Sequence, residues 1–190
     1  MVSSYTPGLT SLPAAATEVQ AVARGFSDPT ILIGSDATRD NVLDGMDSHD
    51  WVHFACHGSQ DLNAPTRGAI HLYDGPLTVL QIAGRRPSHP ELAFLSACQT
   101  ATTGVRLPDE AIHLAAALNF VGYRHVIATL FAVGDRHALE VAGAVYRLLS
   151  AADGRTTTSV AEALHHAVVK LRERFPANPS AWAPYIHLGI

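Results

Sequence analysis

Trp51-Val52-His53-Phe54-Ala55-Cys56-His57-Gly58, followed later by Glu91-Leu92-Ala93-Phe94-Leu95-Ser96-Ala97-Cys98-Gln99-Thr100, decides the fold of this chain. Each stretch is an apolar run of strand length that stops at a chemically capable residue, His57 in the first and Cys98 in the second. Largely apolar runs of this kind suit strands covered on both faces, and the interval from His57 to Cys98 leaves room for a crossover between parallel neighbours. Ligands of open α/β sheets gather outside the carboxyl ends of the strands. A histidine and a cysteine at two such ends have the placement a thiol nucleophile and its base need.

Outward from this pair the elements alternate. Residues 13–26 form an alanine-rich helix ended by Gly25, and residues 31–34 a buried strand. Thr38 caps a helix running to Met46 with Gly45 as its stop. Residues 59–90 are broken by Pro65, Gly68, Gly75, Pro76, Gly84, Pro87 and Pro90. Within them, 69–73 alternates as a half-exposed strand and 77–82 forms a short helix or turn. Asp109 and Glu110 open a helix to Phe120, where acids suit the dipole. A strand over 124–131 and a helix over 135–149 follow. Ser159-Val160-Ala161-Glu162 is a capping box, and the helix behind it aligns Val160, Leu164, Ala167, Val168 and Leu171. A last strand spans 182–188. The expected fold class is α/β: a mainly parallel sheet of about six strands with helices on both faces. One domain over 1–190 suffices for this length.

Thirteen basic against seventeen acidic residues, net −4, show no Lys/Arg cluster, which argues against direct nucleic acid binding. No run approaches the roughly 20 apolar residues of a membrane span, and no signal peptide pattern opens the chain. With only Cys56 and Cys98, a disulfide framework is not expected, and a reducing cytoplasmic setting is.

The thiol at position 98 needs a base, which His57 supplies, and backbone donors for the oxyanion, which the N–H groups of Gly58 and Cys98 supply. Spacing alone also accommodates Cys98 as a small buried core residue, and both readings stand on that footing. Strand alternation sends Val52, Phe54 and Cys56 to one face and His53, Ala55 and His57 to the other. Cys56 is therefore expected in the core. His53, on the side of His57, either supports it by hydrogen bonding or only fills a buried polar niche, and the niche is the preferred reading. His53, Cys56, His57 and Cys98 are all competent zinc ligands, but adjacent strand residues point apart and paired ligand spacings are missing, so no metal is expected. The remaining histidines, among them His49, His71, His125 and His187, read as surface or satisfied core residues.

The segments HFACHG, LAFLSACQTA, DEAIHLAAALNFVGYRHVIATLFAVGD and NPSAWAPYIHLGI, in this order, resemble a CHAT domain, of the caspase and separase clan of cysteine peptidases. The resemblance implies a caspase-like three-layer sandwich. It also implies His57 as base, Cys98 as nucleophile, a protein or peptide substrate and no cofactor. Two departures stand out. Phe131 replaces the family's usual tryptophan, and His137 and Leu139 occupy places where separases carry acids suited to an arginine. Gln99, Asp109, Glu110 and Asp135 remain candidates for the substrate pocket. Relatives commonly end longer proteins with helical repeats or sensor modules, so the chain reads as an excised or a stand-alone domain, regulated by such a module where one exists. The competing reading is a catalytically idle interaction or scaffold module with the same fold.

Overall fold

The computed structural model describes residues 1–3, 6, 8–59, 67–96, 109–131, 133–150 and 159–189, without the side chains of 109–113. Its strands are β1 (Val2–Ser3), β2 (Leu32–Ile33), β3 (Trp51–Ala55), β4 (Gly58–Ser59), β5 (Ala69–Leu72), β6 (Gly75–Thr78), β7 (Leu92–Leu95), β8 (His125–Thr129) and β9 (Tyr185–Gly189). Its helices are α1 (Pro13–Ala23), α2 (Arg39–Ser48), α3 (Val79–Ala83), α4 (Asp109–Phe120), α5 (Asp135–Ser150) and α6 (Val160–Arg174). The main sheet has the order β2-β1-β3-β7-β8-β9, parallel except for β9. A small antiparallel sheet, β4-β5-β6, follows His57.

The strand alternation sorts the core into two layers. Val52, Phe54, Cys56, Ala93, Leu95, Val126 and Ala128 pack with residues of α2, α3 and α4. Phe94 and Ile127 pack with α5 and α6 on the opposite face, and Ala55 lies against α1. The result is the expected mainly parallel sheet between helical layers.

Several boundaries differ from the expectation, each for a local reason. Gly45 does not stop α2. The helix continues to Ser48, and the His49 N–H bonds to the Gly45 carbonyl 3.1 Å away. Gly25 lies beyond the end of α1 at Ala23. The helix expected over 77–82 starts only at Val79, because Thr78 caps it through a capping box while Gly75–Thr78 pairs with β5. The opening residues form β1 between β2 and β3. The Thr38 cap and the Ser159–Glu162 capping box are present, and α6 buries Val160, Leu164, Ala167 and Leu171.

Where β9 meets β8, His125 Nδ1 and His187 Nε2 lie 3.1 Å apart. One must donate and the other accept, so the contact needs a neutral partner. Burial lowers both imidazoles below their usual value. His187 is lowered further by His125, and His125 by Arg124 against an opposing effect of Glu91. A base with a depressed folded-state pKa binds its proton more readily when unfolded, so stability is full above about 6.5 and falls as pH drops below that value. In urea unfolding at pH 7.5 and 5.5, the wild-type midpoint is expected to fall at the lower pH. A His187→Gln variant is expected to lose less over the same step, and equal losses would remove the pair from the account.

Candidate active site

In a parallel sheet the strands end together. The carboxyl ends of β1, β3, β7 and β8 lie along one edge, and α4 and α5, the helices returning after β7 and β8, have their N-termini there. The chain leaves β3 at Ala55, so His57 stands just beyond the strand at this edge, 2% exposed.

Its orientation is set by the loop before α1. His57 Nε2 lies 2.6 Å from the Thr10 carbonyl oxygen. A carbonyl only accepts, so Nε2 carries a proton, and in the neutral ring Nδ1 holds the lone pair. That Nδ1 is buried and has no hydrogen-bond partner among the described residues. A buried acceptor left unmatched is uncommon and costs free energy unless something uses it.

Gly58 follows directly. The His71 N–H donates to the His57 carbonyl at 2.8 Å, making 57 and 71 a hydrogen-bonded antiparallel pair. Gly58, opposite Ile70, is then in a non-hydrogen-bonded pair, and its N–H points away from β5. The cross-strand pairing also places the His57 and His71 side chains on one face of this small sheet. Burial, and secondarily His57, lower the His71 imidazole, which therefore stays neutral near pH 7 and meets Ser59 Oγ at 2.7 Å through Nε2.

One row of the main sheet further in, two more polar groups are buried at this edge. Ser96 and Thr129 are each 1% exposed, and neither hydroxyl has a hydrogen-bond partner among the described residues. The β7–β8 register of Phe94 with Ile127 puts them side by side on one face.

Cys98 and Gln99 lie outside the described residues. Asp109 and Glu110 begin α4, as their placement in a first turn suggested, and their side chains are not described. Asp135 opens α5, half-buried, where the helix dipole favours a negative charge. Phe131 is half-buried, and His137 turns its ring against Phe175, 5.1 Å between centroids, in a packing contact. Cys56 is 4% exposed within the core, as alternation required. His53 occupies the buried polar niche expected of it. Its Nε2 lies 3.0 Å from Glu18 Oε1, and Tyr146 Oη is 3.3 Å from its Nδ1.

Sequence reasoning missed the Thr10 carbonyl, a backbone atom that no residue type advertises. It also missed His71, whose nearness to His57 follows only from the β4–β5 pairing. Among the described residues no group of three or more His, Cys, Asp or Glu side chains is arranged to hold a metal ion.

A parallel sheet between helical layers, with a buried and carbonyl-oriented histidine at its carboxyl edge, defines a caspase-like α/β domain. The chain belongs to the CHAT domain family: residues 3–190 match the family's model. That family is related to the caspase-like peptidases. No curated protein matches the chain. Among the described residues no helix is long and apolar enough to cross a membrane.

Proposed function

We propose that this chain is a cysteine endopeptidase in which Cys98 is the nucleophile and His57 the base. The observation that carries the proposal is the His57 ring, pinned through Nε2–H to Thr10 so that a bare Nδ1 faces no described partner. A thiol is the group such a nitrogen activates. The β3–β7 register supports the pairing: Trp51 matches Leu92 and Phe54 matches Leu95, and this constant offset equals the separation of His57 from Cys98, since 92 − 51 = 98 − 57.

In the proposed reaction the Cys98 Sγ–H gives its proton to His57 Nδ1, and the thiolate attacks the scissile carbonyl carbon. The N–H groups of Gly58 and Cys98 hold the resulting oxyanion. His57 Nδ1–H then protonates the leaving amine as the C–N bond breaks, leaving a thioester. A water molecule, deprotonated by Nδ1, attacks the thioester and releases the acid and the thiol. The N-terminus of α4, arriving at the same edge, favours the thiolate. Gln99, Asp109, Glu110 and Asp135 are proposed to shape the substrate pocket for a protein or peptide. Control by a partner or an upstream sensor module and work in a reducing, cytoplasmic compartment complete the proposal.

Alkylation with iodoacetamide or an acyloxymethyl ketone at pH 7 tests it. Selective modification of Cys98 over the buried Cys56, slowed by about tenfold or more in His57→Ala, is expected, because the ordinary thiol pKa of about 8.5 leaves only a few per cent thiolate at that pH. Equal, slow labelling of both cysteines, indifferent to His57→Ala, overturns the peptidase and leaves a scaffold module.

A further inference from the structure

The strand that delivers His57 also has an opposite end, and the chain builds a second concavity there. A pocket of about 280 Å³ opens beside the start of β3. Phe26, Trp51 and Tyr146 form its walls. Their ring centroids lie 5.5 Å (Phe26–Trp51), 5.9 Å (Phe26–Tyr146) and 6.1 Å (Trp51–Tyr146) apart, at interplanar angles of 75°, 75° and 45°. His53 also lines the pocket, with both ring nitrogens already engaged by Glu18 and Tyr146. Asp28 and Asp50 are exposed at its rim.

Thr30 and His49 are shared with a shallower groove of about 430 Å³, which adds Asp36 and Asp44. Among the described residues no lysine or arginine lines either concavity. Among the described residues Asp47, Asp74, Glu91 and Glu140 each pair with an arginine, whereas Asp28, Asp36, Asp44 and Asp50 pair with none. His49, in the dividing wall, donates through Nδ1 to the Gly45 carbonyl at 3.2 Å and meets the Thr30 hydroxyl at 2.9 Å through Nε2. The Met1 amine is bound to the Thr30 carbonyl, and burial pushes it down to about 6, so it adds little positive charge near pH 7.5.

We propose that this aromatic pocket and its acidic groove bind a basic peptide segment of a partner protein, with one arginine side chain in the pocket and a second basic residue over Asp36 and Asp44. The pocket volume falls at the lower edge of the roughly 300–1,000 Å³ typical of small-molecule sites, which suits one side chain. A guanidinium is planar and weakly hydrated, stacks on aromatic faces and pairs with carboxylates, so it matches walls and rim together. An anion would meet unpaired carboxylates, and an apolar group would leave the rim charges without a counterpart. The site lies at the far end of the sheet from His57 and does not depend on the peptidase proposal.

The test uses the full chain carrying Cys98→Ala, so that no probe is consumed. Acetyl-Arg-Gly-Arg-amide, its double citrulline analogue and acetylarginine amide are titrated in turn while the two tryptophan indole N–H resonances are followed. Trp182, held by the Phe175 carbonyl at 3.1 Å, serves as the internal control. The arginine peptide is expected to shift Trp51 saturably and leave Trp182 in place, with the citrulline peptide weaker by about tenfold or more. Asp50→Asn is expected to weaken both arginine probes by about twofold to fivefold, and Asp44→Asn the peptide alone. No saturable Trp51 shift up to about 10 mM, equal affinity for the citrulline peptide, or indifference to both Asp→Asn changes overturns the proposal.

Discussion

Replacing Cys98 with alanine is expected to lower peptide-bond cleavage, read as new amino termini released from a peptide library, by about 10⁴-fold or more. His57→Ala should cost nearly as much, and the double variant little more than either alone. Nucleophile and base act in one step, so removing the second leaves nothing further to lose. The geometry behind this expectation is a single hydrogen bond: the Thr10 carbonyl holds Nε2–H and thereby dictates which nitrogen takes the thiol proton. Thermal unfolding separates chemistry from folding. A Cys98→Ala variant that loses activity with a Tm within about 3 °C of wild type fits a rim nucleophile. A drop of about 10 °C would instead mark Cys98 as a core residue, as would cleavage that survives the substitution.

Much of this arrangement was legible because strand parity is a strict rule. The alternation of Trp51 to His57 put Cys56 in the core and His53 in a buried niche, and the structure has both there. The separation of His57 from Cys98 along the chain equals the offset of the β3–β7 register, a relation that can be counted in the sequence but acquires meaning only once the two strands are known to pair. What was not legible has physical causes. The two-residue strands β1 and β4 carry too few side chains for any periodicity, and β1 exists because β2 and β3 flank it. Gly45 sits inside α2 because packing of Val42 and Met46 outweighs the weak preference of one glycine for a helix end. The partners of His53 come from α1 and α5, at residues 18 and 146, and no local pattern joins positions so distant.

Those partners support the second large effect. Glu18, His53 and Tyr146 are 2%, 1% and 3% exposed, so water cannot replace any of them. Burial, and secondarily the Glu18 carboxylate, push the Tyr146 hydroxyl well above its usual range, so it keeps its proton and donates to His53 Nδ1. His53 Nε2–H in turn donates to Glu18, and the chain of bonds closes with every donor used. Glu18→Ala breaks it at the end where the loss is greatest, leaving a buried imidazole N–H without an acceptor and a void beside the ring. The expected loss is about 1.5–3 kcal/mol, the size of a buried hydrogen bond to a charged group whose neutral donor is left unmet. For a domain of this size that corresponds to a fall in Tm of roughly 3–12 °C. Glu140→Ala is the contrast: its Arg174 partner is 61% exposed, and about 1 kcal/mol or less is expected. The triple change Glu18→Leu, His53→Phe and Tyr146→Phe should recover most of the loss, since burying apolar groups of similar shape carries no unmet donors. If Glu18→Ala unfolds within about 1 kcal/mol of wild type, or if the triple variant is no more stable than Glu18→Ala, the network is not what joins α1 and α5 to β3.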